Sequence, residues 1–197
     1  LEKAIKDSWP KPKMLILNFP SNPTGCVATL SQLTAIADVI RRKCSPDVRV
    51  YSDEIYEYIL FDGHKHISIA SLPGMRERTI ISSGFSKTFA WTGGRIGYAV
   101  FPTEDEANVF KNLNINYFSC IPPFTQEGAR VAYEHPDSRK VIAEMVGTFQ
   151  KRRDVVVKAL NAIDGIRCQN PGGAFYLFPN IKGVCKKLGV IDAYEKL

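Results

Sequence analysis

Cysteine and histidine are scarce, and their spacing excludes several classes of protein at once. The 197 residues include five cysteines and three histidines. Cys26, Cys44, Cys120, Cys168 and Cys185 are far apart, odd in number and form no CxxC pair. That argues against a zinc ribbon and a disulfide framework, and favours a reducing, cytoplasmic setting. His64, His66 and His135 keep no ligand-like spacing with carboxylates, so they read as surface residues and no metal site is expected. No apolar run is long enough to span a bilayer, and no signal-peptide pattern opens the chain, so no membrane partner is expected. There is no internal repeat and no low-complexity segment. The first residues, LEKAIKDSW, begin without Met and as if midway through a helix, so the chain reads as a piece of something larger.

What is present is ordinary for a soluble globular chain: 45% apolar residues, 23% charged residues and a net charge of +6. The excess of basic residues is scattered. Its short runs, RRK (41–43) and KRR (151–153), fall in helix-like segments and read as solvated helix faces. No RNA- or DNA-binding motif accompanies them, so no nucleic-acid partner is expected.

The apolar pattern predicts an α/β fold. KMLILNF (13–19) is a continuous apolar run ending in the turn cluster PSNPTG, and it reads as a fully buried strand. NPTG itself reads as a type I turn with Pro at its second position. A helix is predicted from about Leu30 to Cys44, capped by Thr29 with Gln32 three residues on. VRVYSDEIY (48–56), TIISSGF (79–85) and RIGYAVF (95–101) predict three more strands. The lack of polar alternation points to a mostly parallel sheet covered on both faces by flanking helices. TEDEANVFKNL and PFTQEGARVAYEH predict helices. A long helix from about Pro136 to Ile163 would bury Val141, Met145, Phe149, Val156, Leu160 and Ile163. GGAFYLFPNI (172–181) reads as a strand in a new setting. Residues 1–135 would then form a large domain, and 136–197 a linking helix with the start of a small α+β domain.

Ligands of open parallel sheets bind beyond the carboxyl ends of the strands. Here those ends deliver Asn22 and Thr24 after the first strand, Asp53, Glu54 and Tyr56 after the second, and Ser83, Ser86 and Lys87 after the third. Arg95 follows eight residues later. Lys87 sits among small and aromatic neighbours, where an unpaired ammonium is costly and a lysine that forms a covalent bond would fit. An aldehyde, a pyridine nitrogen, a phenolic oxygen and a phosphate on one cofactor would use all of these groups. Pyridoxal 5′-phosphate carries that combination. A nucleotide-binding reading fails: a P-loop needs Gly immediately before the Lys and again five residues before that, where this chain has Ser86 and Ile81. GGRIG does not fit GxGxxG.

NFPSNPTG, SDEIYEYILFDG, SGFSKTFAWTGGRIGY and NPGGAFYLFPNI, in this order and spacing, resemble the signatures of class I/II aminotransferases, pyridoxal-phosphate enzymes of fold type I. The resemblance runs from end to end of the chain and corresponds to the central and C-terminal portion of such an enzyme. It implies that Lys87 captures the cofactor aldehyde and later moves a proton at the substrate Cα. Asp53 would pair with the protonated pyridine nitrogen, Tyr56 and Asn22 would hydrogen-bond the phenolic oxygen, and Arg95 would hold the phosphate. It implies as substrates an aspartate-like or aromatic amino acid and a 2-oxo acid, by a ping-pong route, and a homodimer for the full-length protein. Two positions depart from the pattern. Gly84 stands where relatives carry a phosphate-binding Ser, leaving Ser86 or Ser83 as the substitute, and TGGR places Gly94 where TGWR is common. The N-terminal phosphate loop and the Arg for the substrate carboxylate lie outside the chain, which is therefore expected to be inactive as it stands. Lyase or aminocyclopropane-carboxylate synthase chemistry on the same scaffold, and an effector-sensing domain of a regulator, remain alternatives.

Overall fold

The computed structural model describes residues 1–8 and 11–190. After a short helix α1 (Glu2–Asp7) the chain enters strand β1 (Met14–Asn18), then helix α2 (Leu30–Lys43) and strand β2 (Arg49–Asp53). Strand β3 (Thr79–Gly84) runs directly into the single-turn helix α3 (Phe85–Thr88), and strand β4 (Gly97–Val100) follows. Helices α4 (Glu104–Phe118), α5 (Pro123–Glu134), α6 (Ser138–Asn161) and α7 (Lys182–Lys187) complete the described chain. No helix among the described residues is long and apolar enough to cross a membrane.

The sheet order is β1-β2-β3-β4, with the first two pairings parallel and the last antiparallel. The predicted α/β class and mostly parallel sheet are therefore found. α2 starts where Thr29 and Gln32 close a capping box: the Thr29 hydroxyl accepts the Gln32 N–H, and the Gln32 side chain accepts the Thr29 N–H. Its buried residues Leu33, Ala37 and Ile40 recur at helical spacing and pack on Val50, Ile69 and Met75. This dry layer fixes one face of the sheet and with it the height of the strand ends.

Four expectations about packing are corrected. β1 is not buried on both faces. It is an edge strand, and Ile16 is 72% exposed while Leu15 and Leu17 pack toward α2. Side chains alternate across a strand, and among the described residues no element covers the second face here. In α6, the inward stripe passes through Val146, Phe149, Arg153 and Val157, while Val141 and Val156 are exposed, as is Ile163 just past the helix. Arg153, expected on a solvated face, is 7% exposed. It is held by Asp62 at 2.5 Å, Asp154 at 2.7 Å and the Pro171 carbonyl at 3.0 Å, and it stacks over Phe61. Three acceptors and a ring face make burial of a guanidinium tolerable.

The fourth concerns 172–181, which is not a strand. It forms only isolated bridges, Gly173 with Leu60 and Asn180 with Arg167. Ala174 lies in the left-handed region at φ 56° and Pro179 has no N–H, so the segment cannot propagate a ladder. It instead plugs a second core of Tyr56, Ile59, Phe61 and Ala174, flanked by Val146 and Phe149.

Candidate active site

The strand register places the sequence-predicted residues along one rim. Asn18 lies opposite Asp53, and Asp53 opposite Ser82. Because β3 and β4 are antiparallel with Gly84 opposite Gly97, the end of β3 that carries Lys87 is also the end of β4 preceded by Arg95. Asn22 reaches this rim through the loop after β1, where its backbone N–H donates to Asn18 Oδ1 at 2.7 Å, and Asn18 in turn donates to the Asp53 carbonyl at 3.2 Å. The loop is wider than the predicted type I turn. It contains a cis Asn22–Pro23 bond and is closed by the Gly25 N–H to the Ser21 carbonyl at 2.8 Å.

Lys87 is half-buried in α3, and its Nζ lies 5.9 Å from the centre of the Tyr56 ring and 5.5 Å from that of Phe175. Among the described residues, two ring faces stand where a structural lysine would ordinarily find a carboxylate. Asp53 is half-buried, and among the described residues its side chain accepts only the Ile55 N–H, at 3.3 Å. Burial pushes its carboxyl above the usual range, the Ile55 bond offsets part of this, and the charge of Glu54 adds to it. A partly buried carboxylate without a cation is a place where a positively charged ligand group would be stabilised.

Tyr56 is 2% exposed. Its hydroxyl meets that of Tyr176 at 2.5 Å, and both Phe175 and Tyr176 pack edge-on against its ring. Burial first, then the bond to Tyr176, holds the Tyr56 phenol far above its ordinary range, so it is neutral. Ser86 is half-buried in α3 beside Lys87. Arg95 is exposed, in left-handed backbone at φ 47°, and its guanidinium donates to the Thr92 carbonyl at 2.9 Å.

The two departures from pattern have local causes. A Cβ on Gly94 would stand 2.6 Å from the indole of Trp91, so Trp91 occupies the space a larger residue would need. A Cβ on Gly84 would lie 3.0 Å from Gly97 Cα and 3.1 Å from the Ile96 carbonyl, a close fit between neighbouring strands.

The partners of Glu54, and two aromatic residues that shape the site, were missed in sequence. Glu54 is buried immediately behind Asp53. Its carboxylate accepts Ser52 at 2.8 Å and Ser68 at 2.6 Å, and meets His66 Nε2 at 2.7 Å. His66 is thus half-buried and partnered, a correction to its surface reading. Glu54, Glu57 and His66 bring ligand-type atoms within 4.8 Å of one another, yet both Glu54 oxygens are already engaged. Phe175 and Tyr176 come from 172–181, where the Gly-Gly pair ahead of two aromatics was the available signal. That segment docks backbone to backbone on the loop after β1. The Gly173 N–H donates to the Gly25 carbonyl at 3.0 Å, and a Cβ on Gly25, at φ 68°, would run into Pro171.

Against known proteins, the family model described as aminotransferase class I and II matches residues 1–192. The chain belongs to that family. Aromatic-amino-acid aminotransferase 2 of Thermococcus litoralis is 43% identical over 184 residues, covering 92% of this chain and 45% of its own length. Aspartate aminotransferase of Bacillus subtilis is 39% identical over 196 residues, covering 99% of this chain and 48% of its own. Among solved structures, aspartate aminotransferase from Rhizobium meliloti superposes with a TM-score of 0.87 at 36% identity, over 93% of this chain and 45% of its own. The aromatic aminotransferase from Pyrococcus horikoshii gives 0.81 at 41% identity, over 88% and 45%. The chain has the aminotransferase fold of these structures and spans a little under half the length of the relatives it matches.

Proposed function

We propose that the full-length protein is a pyridoxal-phosphate-dependent aminotransferase, moving an α-amino group between an aspartate-like or aromatic amino acid and a 2-oxo acid by a ping-pong route. The observation that carries this is the conjunction at one rim of Lys87 between two ring faces and Asp53, a half-buried carboxylate without a cation among the described residues. Both suit pyridoxal 5′-phosphate, since the amine needs an aldehyde and the carboxylate a protonated ring nitrogen. When bound, the cofactor supplies that aldehyde and an electron-poor ring that stabilises negative charge at the amino acid Cα.

The chain's residues would divide the remaining work. Asp53 accepts the ring N–H and keeps that nitrogen protonated. Tyr56, neutral by burial, donates its hydroxyl proton to the phenolic oxygen, with Asn22 as the second donor. Arg95, whose planar fork now donates to the Thr92 carbonyl, would hold the phosphate, with the hydroxyl of Ser86 in α3 beside it. Lys87 Nζ would act as the base that takes a proton from the amino acid Cα and as the acid that returns it. The full-length protein would be a cytoplasmic homodimer, and the 197 residues alone would not turn over substrate.

The test is reconstitution of the full-length protein with pyridoxal 5′-phosphate. A visible absorbance band is expected, lost on borohydride treatment with the added mass on the peptide containing Lys87, and Lys87→Ala should show neither. A band of equal strength in Lys87→Ala would overturn the assignment. Amine release without consumption of a 2-oxo acid would overturn transfer in favour of elimination.

A further inference from the structure

The geometry points to Tyr176 as a positioning residue that donates its hydroxyl proton to Tyr56 and thereby directs the Tyr56 proton toward the ligand. This rests on the proposed pyridoxal-phosphate reading and extends it to a residue 120 positions from its partner.

Each phenol has one proton to give and lone pairs to receive with. The two hydroxyls are 2.5 Å apart, at the short end for O–H···O, so one of them donates to the other. If Tyr56 donates, its proton is spent inside the pair and none is left for a ligand oxygen. If Tyr176 donates, Tyr56 becomes an acceptor on one side and is left with its proton free on the other. A ligand oxygen bearing negative charge on the Lys87 side selects the second arrangement, because a chain of donors pointing toward an anion polarises cooperatively.

The surroundings suit such a chain. Tyr56 is held on both edges by Phe175 and Tyr176, at ring separations of 5.4 Å and 5.6 Å. Tyr176 is itself fixed by the docking of Gly173 on Gly25 and lines a cavity of about 310 Å³ with Phe61, Phe149 and Arg153. The charged and titratable groups facing the pair are Asp53 from the end of β2, Lys87 from α3, and Arg152 and Arg153 from α6. Burial first, then the bond to Tyr176 and last the charge of Asp53, disfavour ionisation of Tyr56, so its hydroxyl keeps its proton.

The experiment is a pH titration of the visible absorbance of the full-length protein loaded with pyridoxal 5′-phosphate, in four forms: wild type, Tyr56→Phe, Tyr176→Phe and the double variant. A donor on the phenolic oxygen withdraws the charge that would hold a proton between that oxygen and the nitrogen of Lys87. Weakening the donor therefore moves the titration midpoint up. Losing a hydrogen bond to a charged oxygen should move it up by about 1 to 2 pH units in Tyr56→Phe. Losing only the cooperative part should move it by about a tenth to a third of that in Tyr176→Phe. In the Tyr56→Phe background, Tyr176→Phe should add nothing, which a purely structural role would not produce. An unchanged midpoint in Tyr176→Phe, or an equal further shift in the double variant, overturns the relay. If Tyr176→Phe misfolds, 3-fluorotyrosine at position 176, the same shape with a stronger donor, should move the midpoint down, and no movement would likewise overturn it. Absence of any titrating band in wild type is a different failure, that of the cofactor assignment itself.

Discussion

The two faces of the sheet differ sharply. Beneath α2, Leu33, Ala37, Ile40, Val50, Ile69 and Met75 form a dry layer with almost no exposed surface. On the other face, at the β1 edge, Ile16 is 72% exposed. The closed face holds the ends of β1, β2 and β3 in register, so the position of Asp53 and Lys87 is a consequence of core packing. Farther in, Ile80 on that same face is 4% exposed, so the bare face is its β1 edge, where Ile16 has no comparable packing among the described residues.

The sharpest way to break this contrast is a pair of truncations. In the 197-residue chain, Ile40→Ala should cost about 2–5 kcal/mol in denaturant unfolding, and Ile16→Ala under about 0.5 kcal/mol. Equal costs would show that the two faces are not different in kind. Repeated in the full-length protein, a cost for Ile16→Ala that rises to match Ile40→Ala would show that the bare face is covered there.

A smaller effect tests whether the polar layer behind the rim belongs with the closed face. Burial pushes the Glu54 carboxyl up, but hydrogen bonds from His66 and Ser68 and the charge of His66 outweigh it, leaving it below the ordinary 4.5. A depressed folded value means that the unfolded chain binds the proton first. The stabilisation is therefore complete above about pH 4.5 and fades as pH falls through the folded value. Glu54→Gln should lose about 1–3 kcal/mol at neutral pH and flatten the acid limb of the stability curve. An acid limb identical to wild type would remove Glu54 from the account.

The smallest effect has the opposite sign. Asp53 has a raised carboxyl, so the folded chain binds a proton more readily than the unfolded chain does. Stability then falls as pH rises from 3.8 through the folded value and stays lower above it. Without cofactor, Asp53→Asn should therefore stabilise the protein by a few tenths of a kcal/mol, after discounting for its partial exposure. The same substitution should weaken retention of pyridoxal 5′-phosphate, measured by dialysis. Loss of stability in the cofactor-free variant would mean that Asp53 supports the fold and is not held in readiness for a cation.

The rim was legible because its parts are local. The apolar run before PSNPTG, the Thr29–Gln32 cap and the placement of Asp53 and Lys87 just past β-branched strands all depend on neighbours within a few residues. What escaped was carried by partners far along the chain. His66 is twelve residues from Glu54, Arg153 is 91 from Asp62, and Tyr176 is 120 from Tyr56. No periodicity announces such pairs, and a charged residue in an apolar stripe, as Arg153 is in α6, reads as surface until its acceptors are known. The segment 172–181 misled for a different reason. Its continuous run of aromatic and apolar residues imitates a strand, while one left-handed residue, Ala174, is enough to prevent it.

The joining of Gly25 to Gly173 sets a rule for exchanging parts between relatives. A chimera that takes the residues beyond α6 from a homologue inherits whichever residue that homologue places against Gly25, and a side chain at either glycine would wedge the two loops apart. Swaps made as a matched pair should keep both loops seated. Swaps of one loop alone should unseat Asn22 and Tyr176 together, including whichever of them lies in the loop left native.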